Sequence, residues 1–245
     1  MIALRQFAVA AFASIASLTV FAQQPQGRRS LEELINRNEP GWDLVQKWIK
    51  EAKNAVEVLP SDPVRADSAL LQAQVTTRSP MGAIIHGSGG ILVDHGWIRI
   101  LGSSNARLGR SVMEWNRGKS FEKIGERPSF LLVADDALGG FFAINAGALD
   151  TTDMGKVFYF GPENLTWVST GLAYSEFLVF CFSGDLNDFY QGLRWKGWES
   201  EVGRLDGDQA FHCVPYLFTA EGKNIAQVDR KAVPIQELWD LYMSF

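Results

Sequence analysis

The sequence predicts an α+β fold: one domain in which a central, mainly antiparallel sheet is flanked by N- and C-terminal helices. Three observations carry this. Helical spacing opens and closes the chain. The middle holds a block of short apolar runs broken by turn residues. Those runs lie too close together for crossover helices between most of them, which favours a meander over a doubly wound sheet. A hydrophobic fraction of 47% supplies a substantial core and excludes general disorder.

The chain opens Met-Ile-Ala-Leu-Arg5, then runs apolar from Phe7 to Ala22 and ends Val20-Phe-Ala22. Charge, apolar run and small residues before Gln23 form the three-part pattern of a secretory signal peptide over residues 1–22. The run is short of the roughly 20 residues a bilayer-crossing helix needs. Residues 23–29 read as a flexible leader and residues 30–245 as the folded domain. The expectation is an exported protein, periplasmic or secreted, with no membrane span after cleavage. The net charge is −5, and losing Arg5 makes it one unit more negative. An acidic balance argues against nucleic acid as a partner.

Ser30-Leu-Glu-Glu33 matches a capping box. Trp42, Val45, Trp48, Ile49 and Ala52 share a helical face. Asp62-Pro63 gives a cap and a first-turn proline for a helix reaching about Val75. From Met81 to Leu101 the reading is two short strands, Ile91–Val93 and Trp97–Leu101, joined by the turn Asp94-His-Gly96. Phe130–Ala134, Phe141–Ile144, Lys156–Phe160 and Leu165–Val168 continue the sheet. Helices are expected at Ser175–Phe182, Leu186–Trp195 and Pro234–Tyr242.

The sequence holds no Gly-x-Ser-x-Gly elbow, no His-Glu-x-x-His and no phosphate-binding loop. His86, His95 and His212 lack metal-ligand spacing, and neither a metal nor a cofactor is expected. His86-Gly-Ser-Gly-Gly90 reads as a flexible turn rather than an oxyanion strand, since no nucleophile elbow accompanies it. Cys181 and Cys213 permit one disulfide in an exported protein, although Cys181 sits in an apolar run typical of a buried thiol. Asp135-Asp-Ala-Leu-Gly-Gly140 is the most unusual stretch. Paired acids can act as general acid and base, but neighbours on a strand point to opposite faces. The reading is therefore a structural turn, with acids bonding backbone amides and Gly139 or Gly140 supplying positive φ. The second unusual stretch is Arg194-Trp-Lys-Gly-Trp198 with Tyr190 nearby. Tyr190, Arg194, Trp195 and Trp198 could be interface anchors, because Trp, Tyr and Arg dominate hot spots, or they could be core.

Ser30–Asn36, Ser79–Ala83, Gly96–Ser103, Ala134–Asn145, Tyr159–Pro162 and Phe189–Trp195 together resemble the DUF2625 family of uncharacterised bacterial proteins, over about residues 29–245. The acidic-glycine strand pair that follows Pro128-Ser-Phe-Leu-Leu-Val-Ala134 also resembles the SUKH superfamily. That resemblance implies an α+β domain of the kind found in immunity proteins that bind and neutralise toxins. Export departs from their usual cytosolic setting and points to a partner outside the cytoplasm. The leading expectation is a non-catalytic module that binds another protein. The alternative is a small exported hydrolase or ligand-binding enzyme centred on Asp135, Asp136, Arg99 and Asn145. Convergence of those four groups on one pocket floor separates the two.

Overall fold

The computed structural model describes residues 27–245, so the signal-peptide reading over residues 1–22 lies outside the described residues. Of the leader, residues 27–29 are described; Arg28 and Arg29 bond the end of a helix at the Leu71 and Gln74 carbonyls. Among the described residues no helix is long and apolar enough to cross a membrane.

Seven strands form one sheet in sequence order, each antiparallel to the next. They are β1 (Val56–Leu59), β2 (Gly90–Val93), β3 (Ile98–Leu101), β4 (Phe130–Asp136), β5 (Phe141–Asn145), β6 (Lys156–Gly161) and β7 (Thr166–Ala173). The α+β class and the antiparallel meander are as expected. Antiparallel sheets commonly leave one face in water, but this one is covered on both. Alternation along β3 shows how. Ile98 and Ile100 face a core built with Val45 of α2 (Gly41–Lys50), Ile84 of α4 (Pro80–Gly87) and Phe177 and Phe182 of α6 (Tyr174–Ser183). Leu101 faces the opposite core. That one contains Leu34 of α1 (Leu31–Leu34), Leu70 of α3 (Pro63–Ala73), Trp115 of α5 (Val112–Asn116) and Leu238 of α9 (Ile235–Tyr242).

The caps behave as local chemistry dictates. The Ser30 hydroxyl accepts from the Glu33 amide while the Glu33 carboxylate accepts from the Ser30 amide, completing the capping box. Asp62 accepts from the Arg65 amide at 3.0 Å, with Pro63 at the first helical position. Ser79-Pro80 repeats that signal and starts α4, a helix absent from the sequence reading. Its run Met81, Ala83, Ile84 and Ile85 is apolar on nearly every side, because α4 packs between α2, α3 and the sheet. A helix buried all round shows no 3.6-residue period to detect.

The C-terminal third departs furthest from expectation. The helix expected over Leu186–Trp195 stops as α7 (Leu186–Phe189), and the chain turns at Gly192 and Gly197, both at positive φ, before α8 (Trp198–Val202). A two-stranded ribbon follows, β8 (Gln209–Val214) against β9 (Asp229–Pro234). Ala210 and Val233 join one core, while Phe211 and Cys213 join the other.

Candidate functional site

Asp135 and Asp136 end β4 on opposite faces of the sheet. Asp135 is wholly buried. Its Oδ1 accepts from Arg99 Nε at 2.6 Å and its Oδ2 from Arg110 Nη1 at 2.6 Å. Both arginines then reach the ribbon: Arg99 to the Gln209 carbonyl, Arg110 to Asp208 Oδ1 at 2.7 Å and the Gly207 carbonyl at 2.8 Å. Burial works against the charged Arg110, but the carboxylates of Asp135 and Asp208 outweigh it and raise its pKa. This network clamps the 207–209 segment to the sheet. Removing one partner of such a buried pair costs about 3–5 kcal/mol.

Asp136 faces the other core and is also buried. Its Oδ1 accepts from the Leu138 and Gly140 amides at 2.9 and 2.8 Å. Its Oδ2 accepts from Tyr159 Oη at 2.9 Å and Tyr190 Oη at 3.3 Å. Burial raises the carboxyl above the ordinary range, against the opposing pull of those donors and of Arg99. Burial, and then the charge of Asp136, hold both phenols well above their usual pKa, so they stay donors. Gly139 takes φ +80, and a Cβ there would meet Leu238 at 2.7 Å. A Cβ on Gly140 would press on the Asp136 carboxylate and the Tyr159 hydroxyl. The turn reading thus acquires a specific geometry. Asn145 lies apart: it accepts from the Gly147 and Leu149 amides and donates to the Asp150 and Thr152 carbonyls, fixing the loop after β5. Arg99 therefore meets the Asp135 carboxylate and donates from Nη2 to the Asp136 carbonyl at 2.6 Å, while the Asp136 carboxylate and Asn145 are engaged elsewhere; the four side chains do not converge.

The aromatic rings of the run Tyr190–Trp198 are interior rather than an exposed anchor set, while Gln191, Gly192, Lys196 and Gly197 between them are exposed. Tyr190 is buried, Trp195 and Trp198 nearly so. All three rings pack on Trp97, with centroids at 5.3, 5.8 and 5.0 Å. The Arg194 guanidinium carbon lies 4.2 Å from the Trp198 centroid and 4.8 Å from that of Trp97, and its Nη2 donates to Asp94 Oδ2 at 2.6 Å. Of the two alternatives left open for Cys181 and Cys213, a disulfide or two buried thiols, the structure has both free and buried; each is built into the core from a different element, α6 and β8. Burial pushes the Cys213 thiol up to about 12 and Cys181 well above its usual value, so neither is a ready nucleophile.

The exposed aromatic surface lies where the sequence reading assigned nothing. From the end of β8 the chain runs through exposed Val214 and Pro215 into half-buried Tyr216 and Phe218, and past α9 it reaches exposed Phe245. Tyr216 and Phe218 stack at 5.2 Å and 11°, and Phe245 stands edge-on to Phe218 at 5.2 Å and 65°. Phe245 is 68% exposed, Val214 54% and Met243 40%. Buried Leu217 anchors the loop, and the Tyr216 carbonyl accepts from the Thr219 amide and hydroxyl, so the rings are presented on a fixed turn. The alternation Tyr216-Leu217-Phe218 after Pro215 was the available signal; it is too short to register as a strand or helix period.

The family described as a protein of unknown function, DUF2625, matches residues 31–238. An uncharacterized protein of Haemophilus influenzae is 44% identical over 189 residues, covering 77% of this chain and 82% of that protein. The putative uncharacterized protein YbfG of Escherichia coli is 40% identical over 213 residues, covering 87% of this chain and 95% of that protein.

Proposed function

We propose, for a chain that belongs to the DUF2625 family, a non-catalytic role: binding another protein through the aromatic surface at Tyr216, Phe218 and Phe245. The observation that carries this reading is the exposure of Phe245 and Val214 beside stacked rings on a fixed turn. Monomeric proteins rarely expose contiguous apolar surface without using it, and rigid aromatics are the usual anchors of interfaces. The two carboxylates on which the hydrolase alternative was centred are engaged in holding the fold. Asp135 is shared between two arginines that hold the ribbon, one of them also paired with Asp208, and Asp136 is enclosed by two amides and two phenols. With a net charge of −5, the partner that fits is basic around an apolar centre. The immunity-like role and an extracytoplasmic site of action, read from residues 1–22, belong to the same proposal.

The test places photo-reactive p-benzoylphenylalanine at position 214, and at position 179 on α6 as the control, in the native host. A discrete, salt-sensitive adduct from 214 and not from 179 supports the reading. Adducts of equal yield from both positions, or a self-adduct alone, overturn it. So does saturable hydrolysis of an ester, peptide or glycoside panel that is lost in a still-folded Asp136→Asn variant.

A further inference from the structure

A cleft of about 400 Å³ separates α3 from the segment 103–114, on a different part of the molecule from the aromatic surface. Its size falls in the range of about 300–1,000 Å³ typical of small-molecule sites. Arg65, Ser68, Ala69 and Gln72 line it from α3 at i, i+3, i+4 and i+7, so one helical face forms the wall. Ser104 and Glu114 stand opposite.

Part of the chemistry of these groups is unspent, although Gln72 Nε2 donates to Ser68 Oγ at 3.3 Å. Arg65 Nη1 donates to Ser104 Oγ at 3.2 Å, and among the described residues no carboxylate lies within salt-bridge distance of the guanidinium. Ser104 is buried at 3% exposure, takes φ +81 although it is not glycine, and its hydroxyl donates to no described residue. A strained, buried polar residue aimed into a cleft is a feature of ligand sites rather than of packing. Across the cleft, Glu114 Oε2 is held by the Ser111 amide and hydroxyl, while Oε1 has no donor among the described residues. A guanidinium fork thus offers paired donors for an anionic group, and Ser68, Gln72 and Glu114 offer mixed donors and acceptors for hydroxyls. The only purely apolar contributions come from Val64 and Ala69, too little for a hydrophobic ligand.

We infer that this cleft binds a small hydroxylated anion of sugar-acid or sugar-phosphate type, its anionic group on Arg65 and its hydroxyls on Ser104 and Glu114. The inference is independent of the protein-binding reading. Amide shifts of ¹⁵N-labelled protein titrated with glucuronate, glucose 6-phosphate, glucose and inorganic phosphate test it. The expected result is saturable shifts at Ser103, Ser104 and Ser111 with at least one acidic sugar, and tighter binding than by glucose or phosphate. Which acidic sugar binds more tightly distinguishes carboxylate from phosphate. Arg65→Gln, a change at an exposed side chain, should weaken that binding at least ~10-fold with the remaining spectrum unchanged. No saturable shift with either acidic sugar, shifts confined to other residues, or undiminished binding by Arg65→Gln overturns the inference. Glucose binding as tightly removes the anionic half, and phosphate binding as tightly removes the sugar half; either result overturns it.

Discussion

Two aromatic clusters in the C-terminal third of the chain are alike in composition and opposite in placement. Tyr190, Trp195 and Trp198 close over Trp97, with Arg194 laid against the rings. Tyr216 and Phe218 stack, half-buried, and exposed Phe245 stands edge-on to both. The difference lies in what surrounds them. The first cluster sits over the sheet between α6 and the ribbon, with Tyr190 bonded to Asp136 and Arg194 to Asp94, while among the described residues the Trp97 and Trp195 indole N–H groups and Arg194 Nε find no hydrogen-bond partner. The second lies just past the ends of β8 and α9, where the chain leaves the core. Aromatic density alone does not distinguish an anchor from a core residue; the depth at which its element ends does.

The largest effect that sharpens this contrast belongs to the buried cluster. Trp198→Ala should cost about 3–5 kcal/mol, the scale for removing a buried indole, read as a large fall in the urea midpoint. A loss under about 1 kcal/mol would mean the cluster is not core. Next is the turn that brings Asp136 beneath Tyr190. Gly139→Val combines a left-handed backbone with contact on Leu238 and should cost about 1–3 kcal/mol; an unchanged thermal melt would refute the turn geometry.

Asp136→Asn probes the same cluster through pH. The folded-state pKa of Asp136 is raised, chiefly by burial. The folded protein therefore holds this proton more tightly than the unfolded chain. Its contribution to stability is greatest below the ordinary carboxyl range and is lost as pH rises through the raised value. Asparagine keeps an acceptor for the Leu138 and Gly140 amides and carries no charge. The melting temperature of Asp136→Asn relative to wild type should rise from pH 4 to pH 8. A difference that falls over that interval would contradict the direction of the shift. The smallest effect belongs to the exposed cluster: Phe245→Ser should leave stability within about 0.5 kcal/mol, as for surface changes generally, and a larger loss by chemical denaturation would place Phe245 in the core.

Much of the sheet was legible because its strands are short apolar runs separated by Asp-Gly and Gly-Pro turns, and the Ser30 and Asp62 caps announced their helices. The opposed faces of Asp135 and Asp136 followed from the two-residue period of a strand. Their partners did not. Arg110 reaches Asp135 from 25 residues away, and nothing local marks it. The ribbon escaped notice because Asp229-Arg-Lys231 reads as a polar loop, although it pairs with β8 throughout. The composition from Leu186 to Trp195 suggested one helix, and the aromatics from Tyr190 to Trp198 suited an interface or a core equally; Gly192 and Gly197, at positive φ, break the helix and turn the aromatic rings into the core.

The most direct test of the binding account joins both clusters in one measurement: adduct yield from p-benzoylphenylalanine at position 214 in the native host, in the background of Phe245→Ser, with the melting temperature of the same protein. A binding surface at the exposed cluster requires the yield to fall at least ~10-fold, equivalent to about 1.4 kcal/mol, while the melting temperature holds. An undiminished yield, or a loss seen only in step with a lowered melting temperature, would contradict it.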